Sequence, residues 1–126
     1  MILKAAVICL ALNIYHEARG EPHNGQLAVA HVTINRAKKN KTTICKEVYR
    51  KNQFSWTRKK MIKIDKSSKE WLDAKKTALE ALRTKDTTHG SLFFFNPKKC
   101  GHPASIVTNR KKVKSIGNHD FYANTK

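Results

Sequence analysis

The feature that most restricts the fold is a break, Arg19-Gly20-Glu21-Pro22, set between two apolar stretches that both repeat at helical spacing. Before it, Leu3, Val7, Leu10 and Ile14 fall three or four residues apart, which predicts a helix over residues 3–18 with Tyr15 and Glu17 near its C-terminal end. Gly20 suits the left-handed residue that stops such a helix, and Pro22 suits the first turn of the next. Beyond the break, Leu27, Ala28, Ala30, His31, Ile34 and Ala37 make one stripe that Val29 and Val32 widen. A second helix reaching Lys38 is therefore expected to be central and buried.

The rest of the chain is read the same way. A short helix is expected over residues 43–49, and Gln53-Phe54-Ser55-Trp56 reads as a loop. A fourth helix opens on Ser67 and Glu70, which read as a capping box, and continues through Trp71, Ala74, Ala78, Leu79 and Leu82 with a charged outer face. After His89-Gly90 the pattern changes to a short aromatic strand over residues 91–95, and residues 113–122 supply a second strand pattern with a turn at Gly117-Asn118. The expected fold class is α+β, a mainly helical single domain with a small antiparallel sheet, in which helices 1 and 2 pack on helix 4. No repeat or Pro/Gly/Ser linker divides the 126 residues, so they are expected to form one domain and a monomer.

Lys and Arg outnumber Asp and Glu by 26 to 9, a formal charge of +17. Such a field attracts polyanions over a Debye length, about 8–10 Å at physiological salt, so nucleic acid, an anionic membrane and bacterial wall polymers all qualify as partners. The apolar run at residues 5–12 behind Lys4 imitates a signal peptide, but no Ala-x-Ala-like site precedes Tyr15-His16-Glu17. It also falls well short of the roughly 20 residues of a membrane span, so it reads as a buried first helix without stable membrane insertion. Cys9, Cys45 and Cys100 are odd in number and widely spaced, which argues against a disulfide framework and for a reduced environment, with Cys9 in the core. Cys100-Gly101-His102 has no second ligand pair at zinc spacing, so neither a metal nor another cofactor is expected.

Glu17, at the end of an apolar helix and before a glycine turn, is placed to project a carboxyl group into a cleft, although a Glu beside Arg19 more often forms a solvated ion pair. Its context changes the reading. The string Tyr15-His16-Glu17-Ala18-Arg19-Gly20-Glu21-Pro22, followed by Gly25-Gln26, Ala28-Val29-Ala30, Val32 and Asn35-Arg36, closely resembles the signature of the SleB-type cell wall hydrolases, which include spore cortex-lytic enzymes and some phage lysins. Val48-Tyr49 with Gln53-Phe54-Ser55-Trp56, and Ile116-Gly117-Asn118-His119 with Phe121-Tyr122, agree in the same order.

That resemblance implies a lysozyme-like catalytic domain over residues 1–126. It would cleave the glycan between N-acetylmuramic acid and N-acetylglucosamine, typically as a lytic transglycosylase. It makes Glu17 the catalytic acid/base and implies that Gln53, Ser55, Trp56, His119 and Tyr122 bind substrate, with Tyr15, Glu21 and Asp120 as possible supporting residues. For Glu21 the more conservative role is to meet the N-terminus of helix 2. The chain departs from the pattern at Phe93-Phe94-Phe95, where many members carry His and Tyr, which weakens any expectation of polar contacts from this strand. The most economical setting is a phage endolysin, made in the host cytoplasm and released to the wall by a separate pore-forming protein. Its charge would draw it to anionic wall polymers. A hydrolytic muramidase or glucosaminidase is the near alternative, and a basic nucleic-acid-binding protein the distant one, although no nucleic-acid motif is present.

Overall fold

A computed structural model describes residues 2–50, 64–100 and 110–123. Its elements are α1 (Ile2–Ala18), α2 (His23–Lys39), α3 (Ile44–Val48), α4 (Lys69–Arg83), β1 (Phe93–Phe95), α5 (Pro97–Cys100), β2 (Lys112–Ile116) and β3 (His119–Tyr122). The mainly helical α+β architecture is the one the apolar spacing predicts. The second strand pattern resolves into two strands hinged at Gly117, whose φ of 56° is left-handed, and α5 is an element that spacing did not reveal.

Two apolar clusters share α2. One face gives Leu27 and Ala30 to a core with Leu10, Ala11 and Ile14 of α1 and Trp71, Ala74, Ala78 and Ala81 of α4. The other gives Ala28, Val29 and Val32 to Ala18 and Phe121, and so carries the sheet. A helix buried on two sides has to be apolar around much of its circumference, which is why Val29 and Val32 widen its stripe. The sheet is antiparallel in the order β1-β3-β2, with Phe94 opposite Phe121 and Phe95 opposite Asp120.

Two local expectations are corrected, and one acid lies buried. The α4 cap is Ser68, whose hydroxyl accepts from the Trp71 N–H at 3.2 Å, because Ser67 is taken by Asp65 Oδ1 through both its N–H (2.9 Å) and its hydroxyl (2.6 Å). Glu70 therefore closes no capping box. Glu47, one of the scarce acids, is fully buried and meets Arg36 Nε at 3.4 Å, Arg50 at 3.2 Å and Asn40 Nδ2 at 2.9 Å. The second correction is that Cys9 and Cys45 form a disulfide. The packing of α1 on α3 brings their Cα atoms to 5.2 Å although 36 residues separate them. Such a meeting of distant segments leaves no trace in cysteine spacing, and it overturns the reduced-thiol reading.

Closing a loop of that length removes enough unfolded-chain entropy to stabilise the fold by about 3–4 kcal/mol on the chain-entropy account. Thermal melts with and without a thiol reductant are expected to differ by several degrees. The same reductant should leave the Cys9→Ser protein unmoved, and a wild-type melt indifferent to reductant would show that this bridge contributes nothing.

Asn35-Arg36 of the motif has a structural task. Asn35 Nδ2 donates to Asp86 Oδ2 (3.1 Å), Thr88 Oγ1 (3.3 Å) and the Ser91 carbonyl (3.1 Å), while Arg36 donates to the Leu92 carbonyl at 2.9 Å and lies over the Phe93 ring. Together they clamp to α2 the loop that delivers β1.

Candidate active site

Glu17 occupies the last turn of α1, between the buried residues Ile14 and Ala18, so its backbone is fixed by core packing while its side chain is only half-buried. Directly after it the chain turns through Gly20, at φ 89°, and the Glu21 N–H closes back on the Ala18 carbonyl at 3.0 Å. The turn opens a cleft of about 550 Å³. Glu17 and His16 line it from α1, Glu21 from the turn, Phe94, Phe95 and Asn96 from β1 and the segment after it, and Asn118 and His119 from the β2–β3 turn. Arg19 does not pair with Glu17; its guanidinium lies 4.4 Å from the centre of the Tyr15 ring.

Glu21 does not cap α2, whose Pro22 cap makes no side-chain hydrogen bond. Its carboxylate reaches across the cleft floor, where Oε1 accepts from the Asn118 N–H and Oε2 from Asn118 Nδ2, both at 2.9 Å, with His119 Nδ1 at 3.8 Å from Oε1. The clasp holds the β2–β3 turn against the end of α1 and so fixes where His119 stands. It requires glycine at 117, since a β-carbon there would collide with Glu21 Oε1 and sit 3.1 Å from Pro22 Cδ. Gly117→Ala is accordingly expected to destabilise the protein by about 2 kcal/mol, from the left-handed backbone and the collision together. Activity should fall alongside the melting temperature. An alanine protein as stable as wild type would refute the clasp.

The other anticipated residues are dispersed. His119 is buried in the cleft wall, edge-on to Phe94 with ring centres 5.3 Å apart. Asp120 points to the opposite face of β3, where it accepts from Ser115 Oγ at 2.7 Å and meets Lys112 Nζ at 3.6 Å. Tyr122 shares that face, buried and stacked on Phe95 at 5.5 Å. Tyr15 packs edge-on against Trp71 and borders a neighbouring hollow. Gln53, Ser55 and Trp56 lie outside the described residues. No group of three or more His, Cys, Asp or Glu side chains able to hold a metal occurs among the described residues.

Sequence reasoning passed over His16, Asn96 and Asn118, each adjacent to a residue or motif it did single out. His16 is held below the ordinary histidine pKa, first by burial and then by the Arg19 charge, so it faces the cleft as a neutral imidazole at neutral pH. Two carboxylates line the cleft, Glu17 from the end of α1 and Glu21 from the turn, and Glu21 is bonded to Asn118.

A helical body, a small antiparallel sheet and a carboxyl group at a helix end above an open cleft together define a lysozyme-like domain. The solved structures agree. The catalytic domain of the germination-specific lytic transglycosylase SleB from Bacillus anthracis is similar with a TM-score of 0.74, at 28% identity over 93% of each chain. The catalytic domain of the Bacillus cereus SleB protein is similar with a TM-score of 0.71, at 27% identity over 94% of this chain and 90% of that one. The cell wall hydrolase family model matches residues 20–122, and the chain belongs to that family of enzymes. Curated relatives include the spore cortex-lytic enzymes of Bacillus cereus, 31% identical over 114 residues, and of Oceanobacillus iheyensis, 30% identical over 114 residues. Each alignment covers 89% of this chain, which spans 42% and 39% of those relatives' lengths.

Proposed function

We propose that the chain is a peptidoglycan lytic transglycosylase that cleaves between N-acetylmuramic acid and N-acetylglucosamine, with Glu17 as its single acid/base. The observation that carries this reading is the cleft itself. It places one carboxyl group on a rigid helix end, ties its carboxylate neighbour Glu21 to Asn118, and leaves Asp120 committed to Ser115 and Lys112 on the far face of β3. A retaining or inverting hydrolase ordinarily needs two working carboxylates, whereas a transglycosylase needs one.

In this reaction Glu17 gives its proton to the glycosidic oxygen as the muramyl C1–O bond breaks. The resulting carboxylate then takes the proton of the muramyl 6-hydroxyl as that oxygen closes on C1, which regenerates the acid without consuming water. Gln53, Ser55 and Trp56 are assigned to sugar contacts on the family pattern, and His119 to the wall beside the acid. Phe94, on the His119 face of the sheet, supplies an apolar surface where a pyranose ring can lie.

The setting we propose is that of a phage endolysin. The chain would close Cys9–Cys45 once it leaves the reducing cytoplasm, and its +17 charge would hold it on anionic wall polymers. The deciding experiment is mass spectrometry of muropeptides released from purified peptidoglycan. Products ending in 1,6-anhydromuramic acid are expected, lighter by one water than reducing-end products. Reducing ends alone would assign a muramidase or glucosaminidase instead.

A further inference from the structure

Next to the cleft lies a second hollow of about 250 Å³, and the two share Arg19, Gly20 and Glu21, so they meet across the turn that follows α1. Tyr15 and the first turn of α4 form its other walls. Its charges are arranged unlike those of the rest of this basic protein. Arg19 rests on the Tyr15 ring and has no carboxylate partner among the described residues. Facing the same hollow from α4, Glu70 has no hydrogen-bond partner among the described residues, whereas Asp73 is paired at 2.7 Å with Lys69, which lines the hollow as well. A guanidinium and carboxylates drawn from separate elements thus line one small space beside the catalytic carboxyl group, without having paired with each other.

The Arg19 guanidinium and the Glu70 carboxylate, on one hollow and not paired with each other, suit a ligand that carries both an ammonium and a carboxylate. The sugars of the strand carry no ammonium, and the lactyl carboxyl of each substituted muramyl residue is consumed in its amide to the stem. The group attached to the muramyl residue next to the scissile bond has both: a short peptide with free carboxylates and, on its diamino acid, a free ammonium. We infer that this hollow seats the peptide stem of the muramyl residue, with Glu70 taking the ammonium, Asp73 adding its charge beside it, and Arg19 taking a carboxylate. The inference rests on the glycan-cleaving reading above and adds a determinant of substrate choice to it. A further sugar of the strand is the competing occupant.

The test compares intact peptidoglycan with the same glycan stripped of its stems by an amidase, using wild type and the double variant Glu70→Gln, Asp73→Asn. Wild type should prefer intact strands in kcat/KM by about tenfold, the scale of two partly exposed charge contacts, and the variant's preference should collapse toward one through KM. An unchanged preference, or an equal loss on both substrates as a sugar occupant would cause, overturns the proposal. Binding gives a readout that does not depend on cleavage. A synthetic stem tetrapeptide with a free diamino-acid ammonium, titrated into Glu17→Gln protein, should shift the NMR signals of Tyr15 and Glu70, and should not do so in the variant that also lacks the two carboxylates. No shift in the Glu17→Gln protein overturns the stem site, whereas wild type that cleaves neither substrate but binds the tetrapeptide overturns the glycan-cleaving reading alone.

Discussion

Replacing Glu17 by Gln is expected to lower lysis of purified peptidoglycan by about 10²–10⁴-fold, which in a turbidity assay is nearly complete loss, while the melting temperature stays at the wild-type value. The amide keeps the volume of the side chain and cannot deliver a proton to the leaving oxygen. Stability is spared because Glu17 is half-buried at a helix end whose hold on the core comes from Ile14 and Ala18. Glu21→Gln gives the contrasting result. One of its two bonds to Asn118 survives through the remaining carbonyl oxygen, while the new amide faces a donor, so activity and melting temperature should decline together and partially. A Glu17→Gln enzyme that still clears the substrate would remove this residue from the mechanism. A Glu21→Gln enzyme that is dead but fully stable would promote Glu21 from supporting the β2–β3 turn to taking part in the chemistry.

The helices were legible because burial on one or two sides imposes a spacing that any sequence must obey. The stripe from Leu27 to Ala37 and that from Trp71 to Leu82 recur in the two clusters on α2 and the packing of α4. Glu17 was singled out for a different reason, through the company of the Glu-Ala-Arg-Gly-Glu string. What spacing could not convey were interactions between segments far apart in the chain. The Cys9–Cys45 bridge depends on how α1 lies on α3, and the grip of Glu21 on Asn118 spans 97 positions. The face on which Asp120 and Tyr122 fall is set by the register of β3 against β1. Ser68 displaced Ser67 as the cap of α4 because Asp65, two residues upstream of Ser67, competes for the nearer serine.

The second large effect concerns stability. Glu47→Ala is expected to cost about 3–5 kcal/mol, a substantial share of the roughly 5–15 kcal/mol available to a domain of this kind. Glu47 is 0% exposed and gathers Arg36, Arg50 and Asn40, so its removal leaves the mostly buried Arg36 guanidinium without its counter-charge. The cost should fall mainly on Arg36, whose side chain is 22% exposed, and little on Arg50, which at 48% exposure can turn to water. Arg50→Ala should therefore change stability by less than about 1 kcal/mol. Arg36 also holds the Leu92 carbonyl and lies over Phe93, at the point where the chain enters β1 and places Phe94 and Phe95 in the cleft wall. Urea unfolding of the Glu47→Ala protein should thus show an early loss of lysis as well as a lowered midpoint. Combining Glu47→Ala with Arg36→Met should recover part of the stability, because the uncompensated charge is gone and the methionine stem still packs. If the single and double variants are equally unstable, the penalty lies in lost packing around α3 and not in the stranded guanidinium.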